Sequence, residues 1–166
     1  MTPIFTQRLN GPLGPMILAA TAQGLCGVWF EGQRHGPTDE RQQSWKPDAA
    51  NGLLQNATKQ LLAYFGGETD GFELPLDLSA GTAFQQSVWH ALLRIPSGQT
   101  QTYGDLARLL NKPRAVRAVG AAVGRNPVSI IVPCHRILGA GGQLTGYAGG
   151  LWRKQALLKL EGHPGL

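Results

Sequence analysis

Three consecutive residues, Cys134-His135-Arg136, end the apolar run Val128-Ser129-Ile130-Ile131-Val132, with Pro133 just before them. A cysteine is a strong nucleophile only as a thiolate, which needs nearby positive charge or a base. His135 and Arg136 follow Cys134 directly, and Arg125 is close in sequence. An inert core cysteine would not naturally run into two cationic residues. Glu161 is one of only two acidic residues in the second half of the chain, and it could orient the imidazole. The expected chemistry is therefore nucleophilic, with Cys134 as nucleophile, His135 as base and Glu161 as orienting carboxylate. Consecutive residues of an extended chain point apart, so a bridging water is the expected link between thiol and imidazole. Cys26 sits in an apolar run and reads as a buried structural cysteine.

These residues need elements to position them. Val128–Val132 is β-branched and uninterrupted, which predicts a buried strand delivering Cys134 to its end. Thr82 with Gln85 three residues on is a capping box opening a helix that carries Phe84, Val88, Trp89, Leu92 and Ile95 until Pro96. Thr102 with Asp105 opens a second helix, and Asn111 is expected to cap a third, with Pro113 in its first turn, running to Gly124. Two short helices, the second bearing Arg114 and Arg117 on one face, form a helix-turn-helix pattern. After Arg136 comes a stretch with six glycines between 139 and 150, and Tyr147 among them. Such a loop lets backbone approach a flat ligand. A helix from Leu151 ends at Glu161-Gly162.

The first half predicts a small α/β unit. Short apolar runs at 4–9, 16–22 and 25–30 are punctuated by Gly-Pro pairs and Gly24, as for antiparallel strands joined by turns. Residues 31–47 read as a loop. The stretch 49–65 reads as an amphipathic helix with Leu53, Leu54, Ala57, Leu61, Leu62 and Phe65 on one face, stopped by Gly66-Gly67, and a short strand is expected near 72–76.

Composition bounds the rest. The 166 residues are 42% hydrophobic and 15% charged, enough apolar content for a folded core. Two cysteines cannot build a disulfide framework, and no run is long enough to span a membrane. With no basic-then-apolar leader, a cytoplasmic protein is expected. Charge is asymmetric: residues 1–80 carry five basic against eight acidic groups, and residues 81–166 ten against two, for a total of +5. Two domains with these bounds are expected, a scaffold (1–80) and a basic, polyanion-binding domain (81–166).

The stretch 126–137, NPVSIIVPCHRI, resembles the active-site signature of the methylated-DNA–protein-cysteine methyltransferases. The likeness extends over 84–107, 114–127 and 144–162, and GLCGVWFEGQRH (24–35) is similar to the bacterial single-function members. The resemblance implies an α+β fold, with an N-terminal ribonuclease H-like α/β domain and a C-terminal helical, winged-helix-like domain containing the helix-turn-helix. It also implies residue roles. Cys134 matches the alkyl acceptor, His135 the base acting through water, Glu161 its orienting carboxylate, and Asn126 the brace of the active-site turn. Tyr103 matches the proton donor to the departing base, and Arg117 the finger that fills the gap in the duplex. Arg114, Arg125 and Ala118 fall with Arg117 on the DNA-contacting segment, and Tyr147 and Ala148 lie in the wall of the guanine pocket. Some members carry serine at 148 and proline at 129, where this chain has Ala148 and Ser129. The zinc ligands of certain members are missing, so no metal and no cofactor are expected.

The implied partner is double-stranded DNA containing O6-alkylguanine, entered through the minor groove, and nothing demands more than a monomer. The implied reaction is one irreversible transfer to Cys134, with O4-alkylthymine left open as a further substrate. Two other readings use the same residues. A non-catalytic alkylguanine sensor is disfavoured by Cys134, and a cysteine hydrolase by the basic helix-turn-helix and the adjacent Cys–His order.

Overall fold

Short apolar runs separated by tight turns pair with their nearest neighbours, and the N-terminal residues do so. In the computed structural model, which describes residues 2–165, β1 (Phe5–Gly11), β2 (Gly14–Thr21) and β3 (Gly24–Phe30) form an antiparallel meander. Residues 31–47 are not wholly irregular: a single helical turn, α1 (Asp39–Gln42), leads into β4 (Lys46–Pro47), which pairs parallel to β1. The sheet order is β3-β2-β1-β4. The run Met16–Ala20 is buried at every position because both faces of β2 are covered. One side meets α2 (Gly52–Phe65), capped by the Asn51 side chain accepting from the Leu54 N–H. On another side, Ala19 and Trp29 cluster with Trp45, whose ring stacks on Trp29 at 5.7 Å between centroids. Gly27 is required there, since a Cβ would lie about 2.0 Å from the Trp29 ring.

Two further expectations change in this unit. The buried face of α2 is Leu54, Ala57, Leu61 and Tyr64, while Leu62 is exposed. Residues 72–76 form no strand, only an isolated bridge between Leu25 and Leu76. Pro75 accepts from the Leu25 N–H at 2.8 Å but has no N–H to return, so a ladder cannot propagate through it.

The chain divides between Leu78 and Ser79 into two units. The second is mainly helical: α3 (Ala83–Leu92), β5 (Gln101–Thr102), α4 (Tyr103–Leu109), α5 (Val116–Gly124), a 3₁₀ turn (Cys134–Arg136), β6 (Ile137–Leu138) and α6 (Leu151–Leu160). Both capping boxes form, Thr82 with Gln85 and Thr102 with Asp105. The Trp89 indole N–H donates to the Ala122 carbonyl at 2.8 Å and fastens α3 to α5. Together, the four-stranded sheet with its helix and the helical second unit give an α+β fold. No described helix is long and apolar enough to cross a membrane.

The expected third helix is shorter. Asn111 does not cap it; with φ of 58° it ends α4 instead. The Asn111 N–H donates to the Arg108 carbonyl and the Lys112 N–H to the Ala107 carbonyl, both at 2.9 Å. That is a left-handed stop of the Schellman kind, which asparagine tolerates. Lys112 to Ala115 form a turn, so Arg114 precedes α5 and does not share a helical face with Arg117.

Candidate active site

The predicted strand at 128–132 does not exist. Val128 to Val132 fold into a closed turn in which the Val132 N–H donates back to the Val128 carbonyl at 3.0 Å. Ile130 lies at φ 73°, a left-handed conformation that a β-branched residue avoids. Asn126 holds this turn closed. Its Oδ1 accepts from the Val128 N–H at 2.9 Å, and its Nδ2 donates to the Val132 carbonyl at 2.8 Å. The same Nδ2 donates to Cys134 Sγ at 3.1 Å. The asparagine amide thus ties the turn to the sulfur, and both residues are buried.

The 3₁₀ turn then splays the next two side chains toward one carboxylate. His135 Nε2 lies 2.9 Å from Glu161 Oε2. An ionised carboxylate only accepts, so Nε2 carries the proton and Nδ1 presents a bare lone pair. Nδ1 is buried and has no hydrogen-bond partner. The thiol and imidazole therefore do not bond directly, as expected from their adjacency. Arg136 donates to both oxygens of Glu161, from Nε at 2.9 Å and a terminal nitrogen at 2.8 Å, and also to the Ile95 carbonyl at 2.6 Å. This bidentate pair fixes Glu161 so that its remaining capacity faces His135.

The electrostatics differ from expectation in one respect. Arg136 is consumed by Glu161, and Arg125 is exposed, so neither is the cation acting on the sulfur. Burial pushes the Cys134 thiol above its ordinary 9.0, against the opposing Asn126 donor and the positive charge of Lys154. Burial likewise lowers His135 below 6.5, against the raising influence of Glu161. At rest the pair is a neutral thiol beside a neutral imidazole.

Lys154 carries no signal of its own in the sequence, because a lysine on a helix reads as solvated. It is fully buried on α6. Its ammonium donates to the carbonyls of Ile137 at 2.5 Å, Thr145 at 3.1 Å and Gly146 at 3.5 Å. Burial lowers its pKa to about 8. The signal available in sequence was its place ten residues after Leu144, in the segment carrying the family likeness.

Tyr103 joins the group through the small parallel sheet. β5 pairs with β6 in the register Gln101↔Ile137 and Thr102↔Leu138, which sets the start of α4 beside the exit of the cysteine turn. The Tyr103 hydroxyl lies 3.4 Å from Thr145 Oγ1 and its ring lies over Gly120 of α5. Tyr147 and Ala148 are half-buried in the following loop, where the Gly150 N–H donates to the Tyr147 carbonyl at 2.9 Å. The structure thus gives two bonded groups side by side on the 3₁₀ turn, Asn126 with Cys134 and His135 with Glu161 and Arg136, while Thr145 connects Tyr103 to Lys154. Arg114, Arg117, Ala118 and Arg125 stand outside these groups, exposed on and around α5. That helix buries Val119, Ala122 and Val123 and leaves Arg117, Ala118 and Ala121 to solvent.

In the first unit, Cys26 is half-buried and not fully buried as expected, and burial together with the Asp77 carboxylate raises its thiol to about 11. No group of three or more His, Cys, Asp or Glu among the described residues could hold a metal ion.

Comparison with known proteins identifies the family. The family described as 6-O-methylguanine DNA methyltransferase, ribonuclease-like domain, matches residues 4–78, and its DNA binding domain matches residues 83–163. A methylated-DNA–protein-cysteine methyltransferase of Mycobacterium leprae is 48% identical over 160 residues, covering 96% of this chain and 93% of that one. One from Methanosarcina acetivorans is 49% identical over 153 residues, covering 92% and 95%. The crystal structure of Mycobacterium tuberculosis OGT in complex with DNA superposes with a TM-score of 0.86 at 46% identity, covering 95% of this chain and 92% of the other. With both family domains matched in order and near-complete coverage at this identity, the chain belongs to the methylated-DNA–protein-cysteine methyltransferase family.

Proposed function

We propose that this protein repairs alkylated DNA by direct reversal, taking a methyl or longer alkyl group from O6 of guanine onto Cys134. The observation that carries this reading is a buried thiol braced by Asn126 next to an imidazole whose bare Nδ1 is set by Glu161.

The reaction follows from those groups. A water between Sγ–H and His135 Nδ1 would carry the thiol proton to the imidazole, and Glu161 would stabilise the imidazolium that forms. Sulfur then attacks the alkyl carbon in line; the S–C bond forms as the C–O6 bond breaks, and the bonding pair stays with guanine. Tyr103 donates toward the base as negative charge builds on it, and in the balance the thiol proton ends on guanine. The product is a thioether, which water does not cleave, so each molecule reacts once.

The target atom lies inside the base stack, so the nucleotide must be flipped out, at a cost of a few kcal/mol. The exposed Arg117 would occupy the vacancy, with Ala118 and Ala121 allowing α5 into the minor groove. Arg114 and Arg125 would contact the backbone, and Tyr147 and Ala148 would wall the flipped base. Binding is then electrostatic and weakly sequence-specific, by a monomer.

The test is intact-protein mass after mixing with excess duplex carrying one O6-methylguanine, followed by peptide mapping. One added methyl group on the Cys134 peptide, with no further turnover, is expected. Tight binding at unchanged mass would replace this reading with that of a damage sensor, and neither binding nor a mass change would refute both.

A further inference from the structure

Trp152, on the first turn of α6, has 57% of its surface in water. An indole so placed adds little to a core, and its contacts are local. One edge, Cδ1 and Nε1, lies against the backbone of Gly150, where an added Cβ would stand 3.3 Å away. The Arg153 guanidinium lies over its ring, 4.6 Å from the centroid. The same guanidinium donates from Nη1 to the Gly149 carbonyl at 3.0 Å, and Gly149 is buried. The loop before α6 is held along its length by bonds of this kind. Lys154 takes the carbonyls of Thr145 and Gly146, the Gly150 N–H takes that of Tyr147, and the backbone N–H groups of Arg153 and Lys154 take that of Gly150. Lys154 also holds Ile137, outside the loop, whereas the Arg153 side-chain bond acts on the loop itself. A half-buried guanidinium exchanges a carbonyl for water readily, and stacking on the indole fixes its plane and shields one face from solvent.

We propose that Arg153, roofed by Trp152, is a latch on the Tyr147–Gly150 segment, and that this latch favours small alkyl groups over bulky ones by keeping the pocket wall from drawing back. The inference rests on the alkyl-transfer reading, in which Tyr147 and Ala148 wall the flipped base. A wall pinned at the Gly149 carbonyl on one side of Ala148 and at the Tyr147 carbonyl on the other cannot yield at its centre. A methyl group fits without movement, and a larger adduct must push the wall outward and break the Arg153 bond. The buried Gly149 carbonyl then loses its partner, which makes the opening unfavourable. Arg153 and Trp152 are accordingly positioning residues that set specificity without touching the transferred group.

Two readouts on the full chain separate the latch from the repair reading. The first needs no DNA: amide hydrogen exchange of Gly150, whose N–H donates to Tyr147, measured by NMR. Arg153→Met should speed that exchange by on the order of tenfold while amides of α3 and α5 keep their rates. Arg153→Lys, which keeps a donor for Gly149, should recover part of the protection, and Trp152→Ala should lose part of it. The second readout is single-turnover transfer from duplex carrying one O6-benzylguanine or one O6-methylguanine. The chemistry is the same displacement, with the benzyl carbon in place of the methyl carbon. The benzyl-to-methyl rate ratio should rise at least about threefold in Arg153→Met, in step with the exchange rate across the variants. Unchanged exchange would overturn the latch. Faster exchange at an unchanged ratio would overturn the specificity role. No transfer from either duplex by the unaltered protein would overturn that role together with the repair reading, while the exchange rates still judge the latch. Should Arg153→Met fail to fold, Trp152→Ala, at an exposed position, decides both points in the same direction.

Discussion

Replacing Asn126 with alanine tests the central structural claim, that one side chain both closes the strained turn and braces the sulfur. The substitution removes the bonds to the Val128 N–H, the Val132 carbonyl and Cys134 Sγ. Val128 and Val132 are fully buried, so water cannot replace the lost partner of the Val128 N–H without opening the turn. An orphaned buried backbone group costs about 1–3 kcal/mol. The Val132 carbonyl and the sulfur add smaller losses, and relaxation of Ile130 out of the left-handed region, a strain on the order of 1–3 kcal/mol, recovers part of the total. Together these predict a net loss of about 2 kcal/mol in the stability of the second unit. Urea unfolding followed through Trp89, the buried tryptophan that bonds to α5, reads it directly in a Trp152→Phe background once the tryptophans of the first unit are also replaced. Single-turnover methyl transfer should slow by at least about tenfold, since about 1.4 kcal/mol of lost thiolate stabilisation is a factor of ten. Asn126→Asp separates the two roles. It keeps the acceptor for the Val128 N–H but places negative charge against the sulfur, so it should be more stable than the alanine variant yet slower in transfer. A loss below about 1 kcal/mol for Asn126→Ala, with transfer intact, would refute the brace.

Three further outcomes are expected. Because burial holds His135 below 6.5, the acid fall in transfer rate should have its midpoint below that value; Glu161→Gln removes a raising influence and should push it lower still, while a midpoint at or above 6.5 in the pH–rate profile would contradict the buried neutral base. Arg117→Ala should slow repair of duplex far more than reaction with free alkylated guanine, and equal losses on both substrates would remove the finger role. Asp105 sits below its ordinary 3.8, chiefly because the Thr102 backbone N–H donates to it, so its contribution is complete above 3.8 and lost as pH falls through the lower folded value. Asp105→Asn should therefore flatten the acid limb of a thermal-stability profile, and an unchanged limb would refute the linkage.

What could be read from the chain alone was what is settled between near neighbours. The capping boxes at Thr82 and Thr102 act over three residues, the three-strand meander over turns of two, and both form as their spacing dictates. The proposed reacting residues were legible through the likeness of 126–137 to a known family, together with the rarity of carboxylates in the second half, which left Glu161 as the candidate partner. Local pattern misled where two structures share one pattern. A β-branched run suits a strand, but Val128–Val132 is a closed turn because Asn126 supplies from outside the hydrogen bonds a neighbouring strand would have given. Asn111 is equally competent to open a helix or to end one, and the carbonyls of Ala107 and Arg108, left open by α4, decide for the end. The charge distribution of the site was the part that only the tertiary structure decided. Arg136, adjacent to Cys134 in sequence, is drawn to Glu161 twenty-five residues away, while Lys154, twenty residues from Cys134, is buried with its charge bearing on the sulfur. Which cation meets which anion depends on desolvation, and desolvation is a property of how α6, the 3₁₀ turn and the pocket loop pack together, not of any window along the chain.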